Sequence, residues 1–400
     1  MVILAATLLS TLLTGPSAVR PLADTLGPLT IYRDPGSPLV VVRELSAPPL
    51  LAIRLSIPYD EPRDLSGAGR VIQLLVQDRV RGEAERFGGK VEFQRTPTHL
   101  VYSVRGPALA FGDMVALLRY AVAPPRSVFQ AQKGVWLTAR REALAVYETP
   151  DRLVRHQLER ALFPDRSHDH GDLTTADLPG AGDLEWFWRR WFRPSAMSVV
   201  VVGAVAPEAV RAAFRDWPEP PAPGPRQSRP VAAADAPGPE VIAPRVALGY
   251  QAAAAEPAAL ALAAALVDES LRQLRLRSAT AEFWWLPDRA ALVVVAATDT
   301  TPDGDSARLL TGLQICISDA ARASAEEISR QRRRLENSLL MRARTPAGLA
   351  ALLGEFLDRT GDPRGADRFL RALAETDDEE VRGALRTLLY QPPIVVELQP

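Results

Sequence analysis

Strand-like apolar runs open this sequence, a helical stripe follows, and the alternation starts again past the midpoint. Leu29 to Tyr32, Leu39 to Arg43 and Leu50 to Ile57 are aliphatic, β-rich runs separated by proline and glycine, so each is predicted to be a strand. From Ala68 to Arg86 the period changes. Val71, Leu74, Leu75 and Val80 make one apolar face of a helix, which Phe87-Gly88-Gly89 closes with glycine at its C-terminal end. Val91 to Phe93 and Leu100 to Val104 alternate as a hairpin. Helices are predicted at 107–121, 127–147, 150–162 and 183–192, ahead of a buried strand from Met197 to Val202.

The second half repeats this style. Val246 to Tyr250 reads as a strand, Pro257 to Arg277 as a long Ala/Leu helix, and Glu282 to Trp285 with Ala290 to Ala296 as a strand pair. Helices follow at 306–321, 324–342, 346–360, 364–374 and 377–389, and Ile394 to Leu398 is a closing strand. Thr376, with Glu379 three residues on, is the capping box expected for the last helix. Both halves end alike: a helix, Trp191-Phe192-Arg193-Pro194 and a strand in the first, a helix, Leu389-Tyr390-Gln391-Pro392 and a strand in the second. The shared order, with proline at the same joint, predicts a duplicated α+β unit. Nine prolines crowd 218–244, where few large apolar residues occur, which predicts a stiff extended linker. The expected division is a signal or N-terminal extension over 1–27, a first domain over 28–217, the linker over 218–244 and a second domain over 245–400.

Val2 to Leu13 is nearly unbroken apolar sequence, and Gly15-Pro16-Ser17-Ala18 follows it. This resembles the core and small-residue end of a secretory signal, although no basic residue precedes it. It is shorter than the ~20 residues of a membrane span. If residues 1–20 act as a signal, the protein is periplasmic, secreted or membrane-associated; otherwise it is cytoplasmic.

Composition narrows the chemistry. Of 400 residues, 47% are apolar and 24% charged, which suits a folded chain with ample core and excludes disorder as its main state. A net charge of −1 argues against a nucleic-acid binder held by phosphate contacts. Cys316 is the single cysteine, so neither an internal disulfide nor a cysteine-built zinc cage can form. The four histidines are His99, His156, His168 and His170, and metal sites built on imidazole are correspondingly scarce.

From about residue 28 to 400 the order of short signatures resembles the pitrilysin/insulinase family of zinc peptidases, of the mitochondrial processing peptidase type. In register with it are Asp60-Glu61-Pro62 to Gly67 before the first long helix, Phe87-Gly88-Gly89 after it, and Tyr147-Glu148-Thr149-Pro150 with Leu162-Phe163-Pro164 and Gly171 in the helical middle. Ser198 to Gly203 with Phe214 to Pro218, and Leu276-Arg277, Ala325-Glu326-Glu327 and Thr376 to Val381 in the second half, also fit. The resemblance implies two homologous α/β sandwich domains of the metallopeptidase-like, LuxS-type fold, joined by the proline-rich linker.

The resemblance also implies a site, and here this sequence departs from it. Active members carry H-x-x-E-H on the first long helix: two histidines bind zinc and the glutamate activates water. Aligned on Gly67, that stretch reads Arg70-Val71-Ile72-Gln73-Leu74. Arg70 and Leu74 stand where the histidines would, and Gln73 stands where the general base would. The family's later E-x6-E pair falls on Gln132 and Ala139. No shift of register restores a ligand, because residues 51–98 contain no histidine. The family's second domain supplies an arginine and, seven residues on, a tyrosine that touch the bound peptide. Here these positions are Arg277 and Trp284, which read either as a partly retained peptide grip or as a helix C-terminal cation and a core ring.

Other chemistry is sparse. His168-Asp169-His170 is the one histidine cluster, in what reads as a solvated loop. His99 and His156 read as structural, Glu142 as part of a solvated face, and Cys316 as a buried small hydrophobe on an amphipathic helix. The expectation is a chain without metal or catalysis of its own, paired with a homologous zinc-binding subunit that supplies the zinc, the two enclosing a chamber for a peptide substrate. The alternatives are a structural scaffold like the inactive core subunits of respiratory complexes, and an active metallopeptidase with an unrecognised metal site.

Overall fold

The computed structural model describes residues 25–123, 132–164, 178–227, 244–253, 256–274, 276–297 and 306–398. The first half opens with β1 (Thr30–Tyr32), β2 (Leu39–Glu44), β3 (Leu50–Pro58), α1 (Ala68–Arg86), β4 (Lys90–Arg95) and β5 (His99–Pro107). It continues with α2 (Phe111–Val122), α3 (Gln132–Tyr147), α4 (Pro150–Leu162), α5 (Ala181–Trp191), β6 (Ser198–Gly203) and α6 (Pro207–Phe214). The second half comprises β7 (Arg245–Ala252), α7 (Pro257–Leu271), β8 (Ser278–Trp285), β9 (Ala290–Ala297) and α8 (Ser306–Ala320). It closes with α9 (Ala325–Arg342), α10 (Pro346–Thr360), α11 (Gly365–Glu375), α12 (Asp378–Leu389) and β10 (Ile394–Leu398).

The strands form two sheets, ordered β1-β2-β6-β3-β5-β4 and β10-β7-β9-β8. Setting aside β1 and β2, the strands of each half run in the same spatial order: fourth, first, third, second. All of these neighbours pair antiparallel; only β2 and β6 run parallel. The duplication read from the two helix–proline–strand joints is thus present in the topology.

Each sheet is buried on both faces, and its strands alternate accordingly. In β6, Val199 and Val201 join the core beneath α1, α2 and α5, while Val200 and Val202 join the core of the second half. In β3, Leu51, Ile53, Leu55 and Ile57 point to the first core, while Ala52, Arg54 and Ser56 lie on the other face. That other face is covered by α10, a helix of the second half. The exchange is mutual: α4, from the first half, covers β7 and β10, packing Val154, Leu158 and Leu162 on Ala247, Val293 and Val295. Both covering helices begin Thr-Pro, at Thr149-Pro150 and Thr345-Pro346, with proline in the first turn where no helical N–H is needed. Glycines admit them. A Cβ on Gly249 would lie 2.8 Å from the Leu162 methyl, and one on Gly354 would collide with the Arg54 side chain.

Where α10 meets β3, charge is buried. Arg54 donates to Asp358 at 2.7 Å, with the two side chains 3% and 7% exposed, and Ser56 donates to the same oxygen at 3.1 Å. His99 Nε2 lies 3.9 Å from the other Asp358 oxygen. Burial holds this imidazole below its ordinary value; the attraction of Asp358 opposes the shift, and Arg54 adds to it.

Several expected boundaries move. The helix expected to run to Arg277 ends at Leu271, because β9 pairs β8 back to Ser278, opposite Ala297. The last helix is capped by Asp377, whose carboxylate accepts from the Glu380 amide at 2.7 Å, rather than by Thr376. The Thr376 hydroxyl instead donates to the Ala372 carbonyl in the last turn of α11. Residues 218–227 of the proline-rich stretch contain neither helix nor strand and lie against the first half: Arg226 pairs with Asp64 and Asp183, and the Trp186 indole donates to the Gly224 carbonyl. The apolar run over 2–13 lies outside the described residues. Among those described, no helix is long and apolar enough to cross a membrane.

Asp358→Ala should lower unfolding free energy in urea by ~3–5 kcal/mol, since it strands a buried guanidinium. The double variant Arg54→Met, Asp358→Leu should recover most of that loss; equal losses would show that the pair is not coupled. Because the folded state binds the His99 proton later than the unfolded chain does, stability linked to His99 is complete above about pH 6.5 and declines as pH falls below it. His99→Gln should flatten that decline, and unchanged slopes would exclude His99 as its source.

Candidate functional site

Helix α1 is held at its start by a carboxylate from outside it. Gly67 adopts φ +86° at the N-cap, a left-handed conformation that favours glycine. Glu61, 5% exposed, accepts from the Gly67 amide at 2.7 Å and the Gly69 amide at 2.9 Å. A negative charge there suits the amides that have no partner within the helix and the dipole of α1, which has no acidic residue in its own first turn. This cap was not foreseen; its signal was an acidic residue six positions before a glycine-led helix.

Arg70, Gln73 and Leu74 then fall on one face, at spacings of three and four. Arg70 forms a bidentate pair with Glu142 of α3, Nε to Oε2 at 2.8 Å and an Nη to Oε1 at 2.9 Å. The pair is partly exposed, at 21% and 45% for the two side chains. Gln73 is wholly buried. Its amide nitrogen donates to the Gln94 carbonyl of β4 at 3.1 Å, and its amide oxygen has no hydrogen-bond partner among the described residues. Leu74 is half-buried and packs on the first core. Tyr102, on β5, lies within the electrostatic reach of Arg70; burial pushes its hydroxyl up.

On α3, Ala139 is buried in the same core as Val71 and Trp136. Gln132 is the first residue of that helix. The carboxylate that reaches α1 is Glu142, about one turn beyond Ala139. Glu142 lies on an exposed face, as expected, and there it meets Arg70.

These residues do not fit zinc. The metal takes imidazole nitrogen, thiolate sulfur or carboxylate oxygen. The face of α1 offers instead a permanently charged guanidinium, an amide and an isobutyl group, and the nearby carboxylate is already engaged by the guanidinium. Among the described residues, no three His, Cys, Asp or Glu side chains are gathered as a metal would require. His168 and His170 lie outside those residues. His156 is buried on α4, and Cys316 is buried on α8, where desolvation pushes its thiol up.

Arg277 and Trp284 are not brought together. Arg277 is exposed in a bend just before β8, with its amide donating to the Ala297 carbonyl. Trp284 lies near the far end of that strand, about 23 Å away at ~3.3 Å per residue. It is half-buried against the core under α4, and its indole donates to Glu282, which also takes a 2.6 Å bond from Arg155. Arg277 is therefore not a helix-terminal cation, since α7 ends at Leu271.

No protein-family model matches the sequence, and no curated protein matches it. Solved structures do resemble it. A protease from Helicobacter pylori superposes with TM-score 0.78 at 14% identity, covering 93% of this chain and 100% of the other. A peptidase M16 inactive domain from Pseudomonas fluorescens gives 0.73 at 14% identity, over 93% and 98%. A chain of complex III2 from Candida albicans, bound to Inz-5, gives 0.72 at 10% identity, over 93% and 96%. The fold is that of M16 peptidase-like proteins, over nearly the whole chain.

Placing a carboxylate at position 73 should be unfavourable here. Gln73→Glu would bury a carboxyl whose pKa is raised by desolvation, so the folded state holds the proton to higher pH than the unfolded chain does. Stability is then retained at low pH and lost as pH rises. Gln73→Glu should be less stable at pH 8 than at pH 5, relative to the parent, by ~1–3 kcal/mol in urea unfolding. Gln73→Leu should show no such difference, and an equal loss at both pH values for Gln73→Glu would refute this account.

Proposed function

We propose that this protein is a non-catalytic member of the pitrilysin/insulinase peptidases, which pairs with a homologous zinc-bearing subunit and helps to form the chamber that receives its peptide substrate. The observation that carries this reading is the Arg70–Glu142 pair. It clasps α1 to α3 where an active member would hold its metal, and the buried Gln73 amide takes the place of the base. A chain that had merely lost its ligands would leave a carboxylate facing nothing. This one supplies a bidentate counter-charge and keeps the surrounding fold over nearly its whole length. The likeness to a peptidase M16 inactive domain supports the same reading. On this view Arg277 and Trp284 are separate contacts to an extended peptide, consistent with their places at the two ends of β8.

A scaffold role without peptide is the second reading, and the likeness to a chain of complex III2 favours it. The two part in a reconstitution. The chain should carry no stoichiometric zinc by elemental analysis and cleave no peptide alone, and a relative with intact H-x-x-E-H should co-purify with it and gain peptidase activity. Zinc or cleavage by the isolated chain would overturn both readings. A stable assembly whose peptidase activity the chain leaves unchanged would favour the scaffold.

A further inference from the structure

A cavity of about 410 Å³ opens between the ends of α2 and α5 and the start of the proline-rich segment. Its volume falls within the ~300–1,000 Å³ span of small-molecule sites. Val122, Trp188, Phe192, Met197 and Trp217 line it, and all are buried. Both indole N–H groups are already committed to carbonyls, Trp188 to Val122 at 2.9 Å and Trp217 to Ala213 at 3.2 Å. These side chains therefore offer an occupant only carbon surface. Pro218, Pro220 and Pro221 form another wall. Proline has no N–H and a fixed φ, so this wall is stiff and offers no amide donor.

Charge gathers around the lining. Glu185 pairs with Arg189 and Glu219 with Arg193, each at 2.6 Å, and these charges cancel. Arg119 is different. It donates to the Ala213 carbonyl at 2.8 Å and lies 5.6 Å over the Trp217 ring, but it has no carboxylate partner among the described residues. One uncompensated cation thus stands beside an apolar, prebuilt cavity. A peptide would need donors and acceptors along its backbone, which these walls do not provide. We infer that the cavity binds a small monoanionic amphiphile, an apolar chain or ring that fills the cavity with a single carboxylate or sulfonate facing Arg119. This site is separate from the α1–α3 face and does not rest on the peptidase reading.

The test uses the full chain, with dodecanoate as ligand, dodecanol as its neutral counterpart and 1-anilinonaphthalene-8-sulfonate as the fluorescent reporter. The reporter should bind saturably at one site and be displaced by dodecanoate. Arg119→Glu, or Arg119→Gln if the reversal impairs folding, should weaken dodecanoate about tenfold or more, the usual worth of a charged hydrogen bond, and leave dodecanol nearly unchanged. Ala123→Trp, at the exposed mouth, should abolish binding of both without lowering the melting temperature. Failure to saturate, many equivalent weak sites, or full binding by Ala123→Trp would overturn the site. Equal weakening of dodecanoate and dodecanol by the Arg119 variants would overturn the anion assignment.

Discussion

Each sheet of this protein borrows a helix from the other half. α10 closes the inner face of the first sheet and α4 closes that of the second, so neither sheet would be covered on both faces by its own half alone. This arrangement explains residues that would otherwise contradict the pattern of the strands. Arg54 and Ser56 interrupt the apolar run of β3 because the face they occupy looks toward Asp358 of α10. Gly354 lies where any larger residue would strike Arg54. The buried charges fix the register in which α10 crosses β3, because sliding the helix by one residue would strand both a guanidinium and a carboxylate.

The same economy positions α1. Its start is held by Glu61 through two amides, its buried face by the first core, and its outer face by Glu142 through Arg70. Fixed at three places, α1 keeps its position against α3 and β4.

Much of this was legible in the sequence where local rules govern. The bounds of α1, α4 and α10 follow from apolar period, the Thr-Pro starts and glycine ends, and the match of the two halves followed from their helix–proline–strand endings. Elements set by distant partners were not. β8 extends back to Ser278 because β9 offers the pairing, and no local signal marks it. The helix α6 passed unread, though Pro207 at its first turn with Val210 and Phe214 four apart are its signal. The site was half legible. Positions 70, 73 and 74 stand out only through the family resemblance, aligned on Gly67, and the pairing of Arg70 with Glu142 joins residues 72 apart, which only the packing of α1 on α3 brings together.

Arginine is well suited to its place beside Glu142. A histidine at position 70 would offer Glu142 a positive neighbour only below its own pKa. Arginine supplies it at any physiological pH, in a fork that matches both carboxylate oxygens. Such a charge is bonded to the chain, so it cannot exchange, and it has no acidic water to offer as a nucleophile. The Arg70–Glu142 pair is thereby neutral, while the position of α1 against α3 and β4 is retained.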